Sequence, residues 1–302
     1  MGSAFEGLTK EVAEVVEAVS ASVVGVGTGG SGVVMGEGLV VTNAHNLRGE
    51  EVIVTFSDGR RAAAAIAGLD ADGDLTVVSV DTGGAPTLQW GERSARLGEM
   101  VLALANPGGR GMRVGVGFVS ALDVAFRGPG GRRISGAIEH TAPLTRGSSG
   151  GPLVDGDGRL LGIDTHRAGD GFYLAVQAGE ELRGRFDALA RGESPRRARL
   201  GVALAPPRVA RRLRRSVGLP ERNGSLVHAV ETGGPADRAG IRHGDLIVAA
   251  AGAPVTSVDE LAASVEVSED GGSIDLGVVR GVEEIAVVID LRGGGTADEG
   301  RV

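Results

Sequence analysis

The sequence predicts a β-rich protein in which a pair of Greek-key β-barrels precedes a smaller α+β domain. From Ser22 to Val176, short runs rich in β-branched residues recur roughly every 8 to 15 residues between Gly, Asp and Pro, the spacing of many brief strands. Glycine is abundant, at 53 of 302 residues, and aromatics make up only 3%, which favours tight turns over long helices. Past a charged stretch around Pro195 the pattern changes to strands alternating with short helices. A length of 302 residues suits two domains, each with its own core.

Taken in order, residues 1–19 are expected to be helical, because Leu8, Val12, Val15, Val16 and Val19 fall at helical spacing, with Thr9 available near the N-cap. The barrels occupy 20–177, with strands expected at SVVGVG, SGVVM, GLVVTNAH, EVIVTFSDG, DLTVVSV, EMVLALANPGG, RVGVGFVSAL, GRLLGID and GFYLAV. Residues 178–198 form a helix and linker, the segment ARGESPRRAR reading as a charged connector broken by Pro195. The second domain spans 199–292. Its strands are LGVAL, GSLVHAV, DLIVAAAG and two at the end, and its helices run from Val209 to Val217, after Pro235, and from Val258 to Val265. The tail 293–302, GGGTADEGRV, is expected to be disordered.

Composition excludes several classes. The net charge is -8 with a pI near 5.3, so the chain has no general electrostatic reason to bind nucleic acid or an anionic membrane. The run Arg211 to Arg215 reads as a solvated helix face, since no aromatics interleave to stack bases. The chain has no cysteine, which removes disulfides, thiolate metal sites and a cysteine nucleophile. His140, His166, His228 and His243 show no metal-ligand spacing, and neither a metal nor any other cofactor is expected. No signal peptide or membrane span is visible, which reads as cytoplasmic. An exported or anchored protein with its leader removed fits the same residues.

One constellation carries chemistry. A serine hydroxyl needs a base to take its proton, a carboxylate to orient that base, and donors for the developing oxyanion. RGSSGGPL at 146–153 sets Ser149 in a glycine-rich turn whose Gly147 and Ser149 amides are candidates for the oxyanion hole. VVTNAH ends a strand in His45, and DADGDLTVVSV begins one at Asp74. Asp70 and Asp72 compete for the carboxylate role, but Asp74 abuts the strand and the other two read as turn residues. The order His, Asp, Ser is that of the chymotrypsin fold.

These residues resemble the HtrA/Deg family of serine proteases. Thr42-Asn43-Ala44-His45 matches its histidine segment, Asp74 to Val78 its aspartate strand, and Gly147 to Leu153 its serine loop. Ala105-Asn106-Pro107, Val119-Ser120-Ala121 and Leu161-Gly162-Ile163 match in support, and GGPADRAGIRHGDLIVAAAG at 233–252 matches its PDZ domain. The resemblance runs from about residue 10 to 292. It implies a chymotrypsin-like double barrel followed by a PDZ domain, with the active site between the barrels. The implied function is ATP-independent hydrolysis of unfolded or damaged polypeptides by His45, Asp74 and Ser149. It further implies a PDZ groove for peptide C-termini at Leu200, Gly201, Val202, Leu261 and Val265, and a homotrimer or higher oligomer in which Phe5 would serve as an aromatic contact. A substrate pocket of Leu144, Leu174, Ala175 and Val176 implies small or medium aliphatic side chains before the cleaved bond. Departures are Asn46, where an apolar residue is usual, Ser148 beside the nucleophile, His140-Thr141, and the loosely matching Phe172 to Val176. A non-proteolytic chaperone or scaffold with the protease fold in an inactive arrangement is the alternative.

Overall fold

The computed structural model describes residues 2–47, 52–128, 133–169, 171–194, 199–205, 207–220, 222–268 and 272–291. Connector residues 195–198 and the tail 293–302 lie outside them. The chain divides into two compact units, Met1–Pro195 and Arg196–Val302.

In the first unit, helix α1 (Gly2–Ser20) precedes β1 (Val23–Val26), β2 (Gly30–Gly36), β3 (Leu39–Thr42), β4 (Val52–Thr55), β5 (Arg61–Asp70) and β6 (Leu75–Ser79). Then come β7 (Met100–Ala105), β8 (Arg113–Arg127), β9 (Arg133–His140), β10 (Pro152–Val154), β11 (Leu160–Gly169), β12 (Phe172–Gln177) and helix α2 (Glu180–Ala190). The strands close into two six-stranded barrels, ordered β1-β2-β3-β6-β5-β4 and β10-β11-β12-β9-β8-β7, so the expected chymotrypsin-like double barrel is what the chain forms.

The continuous apolar runs have a clear physical reason. Neighbouring residues of one strand point to opposite faces, and here both faces are buried. Val24, Val34, Val40 and Val78 fill the first barrel, while their neighbours Val23, Val33, Val41 and Val77 join a second core with Leu104, Leu160, Ile163 and Val176 from the other barrel. Val101, Ala103, Leu153 and Leu161 fill the second barrel. The shared core is capped by both helices, through Val19 of α1 and Leu182, Phe186 and Leu189 of α2.

Three strands of the first unit were not anticipated, one of them the short β10, only three residues long. β5 is an alanine-rich segment that would suit a helix in isolation, but pairing with β4 and β6 overrides that preference. β9 lacks a β-branched run and is held by β8 and β12. Thr9 is not an N-cap: α1 begins at Gly2, and the Thr9 hydroxyl donates to the Phe5 carbonyl one turn back, at 2.8 Å.

The second unit holds β13 (Val202–Ala205), α3 (Pro207–Ser216), β14 (Ser225–Val230), α4 (Pro235–Arg238), β15 (Leu246–Ala250), β16 (Ala253–Pro254), α5 (Val258–Val267), β17 (Ser273–Arg280) and β18 (Glu283–Asp290). Its sheet runs β13-β14-β15-β17-β18, with β16 on β15. Asp245, next to the turn at Gly244, is buried and receives both Nε and Nη2 of Arg280, at 2.8 and 2.7 Å. The arginine run on α3 is not wholly a solvated face. Arg214 is buried, its Nε donating to the Pro220 carbonyl at 3.2 Å.

Leu160 is fully buried in the core shared by the barrels. Leu160→Ala is expected to cost about 2–5 kcal/mol, read as a lower urea midpoint at unchanged m-value for the first unit.

Candidate active site and peptide groove

The base and the carboxylate meet at the end of β3. Thr42 Oγ1 donates to the Ser31 carbonyl at 2.6 Å, and the buried Asn43 side chain donates to the Asp74 carbonyl at 2.8 Å. A 3-10 turn, Ala44–Asn46, then carries His45. Asp70 shapes the opposite turn, accepting the Gly73 amide at 2.8 Å and Arg185 of α2 at 2.7 Å. Asp74 follows with φ +53, a left-handed conformation that costs a non-glycine residue about 1–3 kcal/mol. The bonds around it hold that conformation. Its carboxylate is buried, accepts the His45 amide at 3.1 Å, and lies 2.8 and 2.9 Å from His45 Nδ1. With Nδ1 protonated toward the carboxylate, Nε2 keeps a lone pair able to accept a proton.

The serine loop needs its glycines. At Gly147 (φ +88) a Cβ would lie 1.9 Å from the Gly29 carbonyl, and at Gly150 (φ +89) 2.2 Å from that of Ser31. Each carbonyl of the turn is engaged: Gly147 by Ser31 Oγ at 2.8 Å, Ser148 by the Gly151 amide at 2.9 Å, Ser149 by the Ser31 amide at 3.1 Å. Among the described residues, the Gly147 and Ser149 amides donate to no backbone acceptor. Ser148 is buried with its hydroxyl 3.4 Å from that of Thr145. The Ser149 hydroxyl donates to the Thr165 carbonyl at 2.8 Å rather than to His45.

Thr165 was not anticipated, and nothing in its local sequence marks it. Beyond supplying the carbonyl on which Ser149 rests, its own hydroxyl donates to Asp74 Oδ2 at 3.0 Å. His166 follows, edge-on to His45 with ring centroids 5.9 Å apart. Burial lowers its pKa, and the neighbouring Asp74 opposes this while His45 adds to it. Beneath the serine loop, His140 Nε2 lies 3.0 Å from Asp164 Oδ1, both side chains fully buried. Burial raises the Asp164 carboxyl, against the bond from His140.

Of the expected pocket residues, Leu144 is half-buried against the second barrel's core, Leu174 and Ala175 are buried, and Val176 belongs to the core shared by the barrels. A polar element joins them. The Tyr173 phenol accepts Arg167 Nη2 at 3.1 Å, and that bond, with a further one to the Leu144 backbone, lowers its pKa. Among the described residues, no group of His, Asp and Glu side chains is arranged to hold a metal.

In the second unit, Leu200 and Gly201 lead into β13, and Gly201 has φ +74. β13 pairs with β14 on one side only, so it is an edge strand. Leu261 and Val265 of α5 are buried in the same core as Leu200, with Val202 and Leu204 of β13 packed against it.

A family model described as a trypsin-like peptidase domain matches residues 30–163, and one described as a PDZ domain matches 226–280. The chain is 30% identical over 280 residues to "Serine endoprotease DegS" of Escherichia coli strain K12, covering 87% of this chain and 76% of that one. It is 30% identical over 272 residues to a "Probable periplasmic serine endoprotease DegP-like" of Halomonas elongata, covering 87% of this chain and 56% of that one. It thus spans little more than half of that relative. Among solved structures, "HtrA-type protease AlgW with decapeptide" superposes with a TM-score of 0.66 at 26% identity, covering 92% of this chain and 97% of that one.

Thr165→Val keeps the shape of the side chain and removes its bond to Asp74. If the carboxylate orients His45, kcat/KM on a peptide substrate falls by about 10- to 100-fold, the worth of one hydrogen bond to a charged group at roughly 1.5–3 kcal/mol.

Proposed function

The chain belongs to the HtrA/Deg family of serine proteases, and from that premise we propose that it is an endopeptidase in which His45, Asp74 and Ser149 act as a triad. The observation that carries this reading is the convergence of the three on one site, with His45 Nδ1 2.8 Å from the buried Asp74 carboxylate. Rotation about the Cα–Cβ bond of Ser149 takes its hydroxyl from the Thr165 carbonyl to His45 Nε2, which accepts the proton as Ser149 Oγ bonds to the scissile carbonyl carbon. The Gly147 and Ser149 amides receive the oxyanion. His45 returns the proton to the departing amine, and a water activated by the same imidazole hydrolyses the acyl-enzyme. Asp74 holds the tautomer throughout.

An extended substrate suits the open edge of β11. Past Asp164, whose amide and carbonyl are taken by Gly151 and Gly150, this strand pairs among the described residues with β12 alone. Recognition through backbone pairing accepts any chain able to become extended, which supports unfolded or damaged polypeptides as substrates in protein quality control. The reaction consumes only water, so we assign no ATP requirement. Leu144, the half-buried member of the four, would meet small or medium aliphatic side chains, while the buried Leu174, Ala175 and Val176 could shape that pocket only indirectly. A digest of casein sequenced fragment by fragment should show cleavage after such residues, and dominant cleavage after Arg or Lys would refute the pocket assignment.

The edge of β13, with Gly201 in its left-handed turn and an apolar floor from Leu261 and Val265, supports binding of peptide C-termini by addition of a strand. Exposed Phe5 and Leu8 on α1 offer an apolar contact for the proposed homotrimer. The cytoplasmic reading of the N-terminus gains no support from relatives, one of which is named as periplasmic. Among the described residues, no helix is long and apolar enough to cross a membrane.

A fluorophosphonate probe tests the triad directly. The wild-type chain and Ser148→Ala should be labelled and should cleave casein with or without EDTA, and Ser149→Ala should do neither. An unlabelled wild type would favour the non-proteolytic chaperone, and labelling of Ser149→Ala would move the nucleophile elsewhere. For the groove, full-length Ser149→Ala should bind peptides with a free apolar C-terminus, and amidation should weaken binding at least about tenfold, or 1.4 kcal/mol. Equal affinity for free and amidated peptides in calorimetry would rule out recognition of the carboxylate.

A further inference from the structure

Asn46 stands directly after His45, at the position where the resemblance leads one to expect an apolar side chain. Its amide is built into the site. Nδ2 lies 2.8 Å from the Ser149 carbonyl, 2.9 Å from Thr42 Oγ1 and 3.4 Å from the Ser31 carbonyl. Thr42 Oγ1 spends its own proton on Ser31, at 2.6 Å, so its lone pairs are free to receive Asn46. The two N–H groups of Nδ2 are therefore divided between the serine loop and the end of β3. Glycines clear the space for the amide: a Cβ at Gly30 would come within 2.5 Å of Asn46 Cγ, and one at Gly150 within 3.1 Å of Nδ2.

The Ser149 carbonyl that Asn46 grips belongs to the peptide plane leaving the nucleophile. The same plane is held at its other end, where the Gly150 amide donates to the Asp164 carbonyl at 2.7 Å. The plane entering Ser149 is held where the Ser148 carbonyl accepts the Gly151 amide at 2.9 Å, so fixing the plane that leaves it sets ψ of Ser149, and with it the Cα–Cβ axis about which the hydroxyl would swing from Thr165 to His45. Because Asn46 and His45 are adjacent in one short turn, the amide ties the base and the nucleophile through a single segment of chain.

We propose that Asn46 is a positioning residue that sets the alignment of Ser149 with His45, acting on the chemical step and not on substrate binding. This rests on the serine-protease reading of the site. The Ser31 amide also reaches the Ser149 carbonyl, at 3.1 Å, so loss of Asn46 leaves the loop closed but free to tilt.

The test uses the full chain with a peptide substrate and a fluorophosphonate probe. Asn46→Val restores the apolar residue usual at this position and is the variant best suited to fold. Asn46→Asp keeps the shape but sets a carboxylate oxygen against the Ser149 and Ser31 carbonyls. Expected is a fall of about tenfold or more in kcat and in probe labelling for Asn46→Val, with KM within about twofold, and a larger fall for Asn46→Asp. Near-UV circular dichroism and Tm should stay close to wild type for Asn46→Val. Wild-type kcat and labelling in Asn46→Val would overturn the proposal. So would a rise in KM alone, or a loss of folded signal that accounts for the lost activity. Failure of the wild type itself to label would overturn the protease reading and, with it, the role of Asn46 that rests on it.

Discussion

The first unit depends on one buried residue at the seam of its barrels. Ser31, on β2 of the first barrel, is fully buried, and every polar group it has is used. Its amide donates to Ser149, its hydroxyl donates to Gly147 and accepts the Asn106 amide at 3.0 Å, and its carbonyl accepts Thr42. Asn106 begins the turn after β7 and Thr42 ends β3, so four segments from two barrels are fastened at one residue. A buried polar group left unpaired costs on the order of 1–3 kcal/mol. Displacing any one of these segments would leave a buried group of Ser31 unpaired, and this cost holds the serine loop to the seam of the barrels.

The residues proposed to carry chemistry stand out in the sequence because each sits in a segment with a physical peculiarity. Gly147 and Gly150 are glycines that no side chain can replace, and the polar run at Thr42 and Asn43 interrupts an apolar strand to clasp its neighbours. Thr165 and Ser31 carry no such mark. A lone hydroxyl on a strand has the same sequence context whether it meets solvent or a carboxylate, and only the closing of the barrels decides which. Asn46 was visible as a departure, but two of its three partners lie 103 and 15 residues away in the chain, beyond the reach of any local pattern. Tyr173 and Arg167 escaped the reading of the pocket for the same reason.

Strands were legible where residues serve two cores, since that demand leaves an unbroken apolar run. β5 and β9 fall outside it. The small side chains of β5 have a use that composition conceals. The end of α2 lies so near that a Cβ on Gly68 would stand 2.4 Å from the Leu189 carbonyl, and a bulky strand there would push the helix and Arg185 away from Asp70. Arg214 shows the converse error, where a cluster of like charges conceals one member whose long stem is folded under the helix.

Burial on both faces of the same strands has a consequence for how the first unit comes apart. A barrel peeled from its partner would keep its interior but would present Val23, Val33, Val41 and Val77, or Leu104, Leu160 and Ile163, as a greasy wall to water. Each such side chain loses roughly 1.5–3 kcal/mol on exposure, so the half-molecule has no stable existence of its own. The two halves must assemble and dissolve as one cooperative body, and the proposed catalytic residues, shared between them, are brought together only when that assembly is complete.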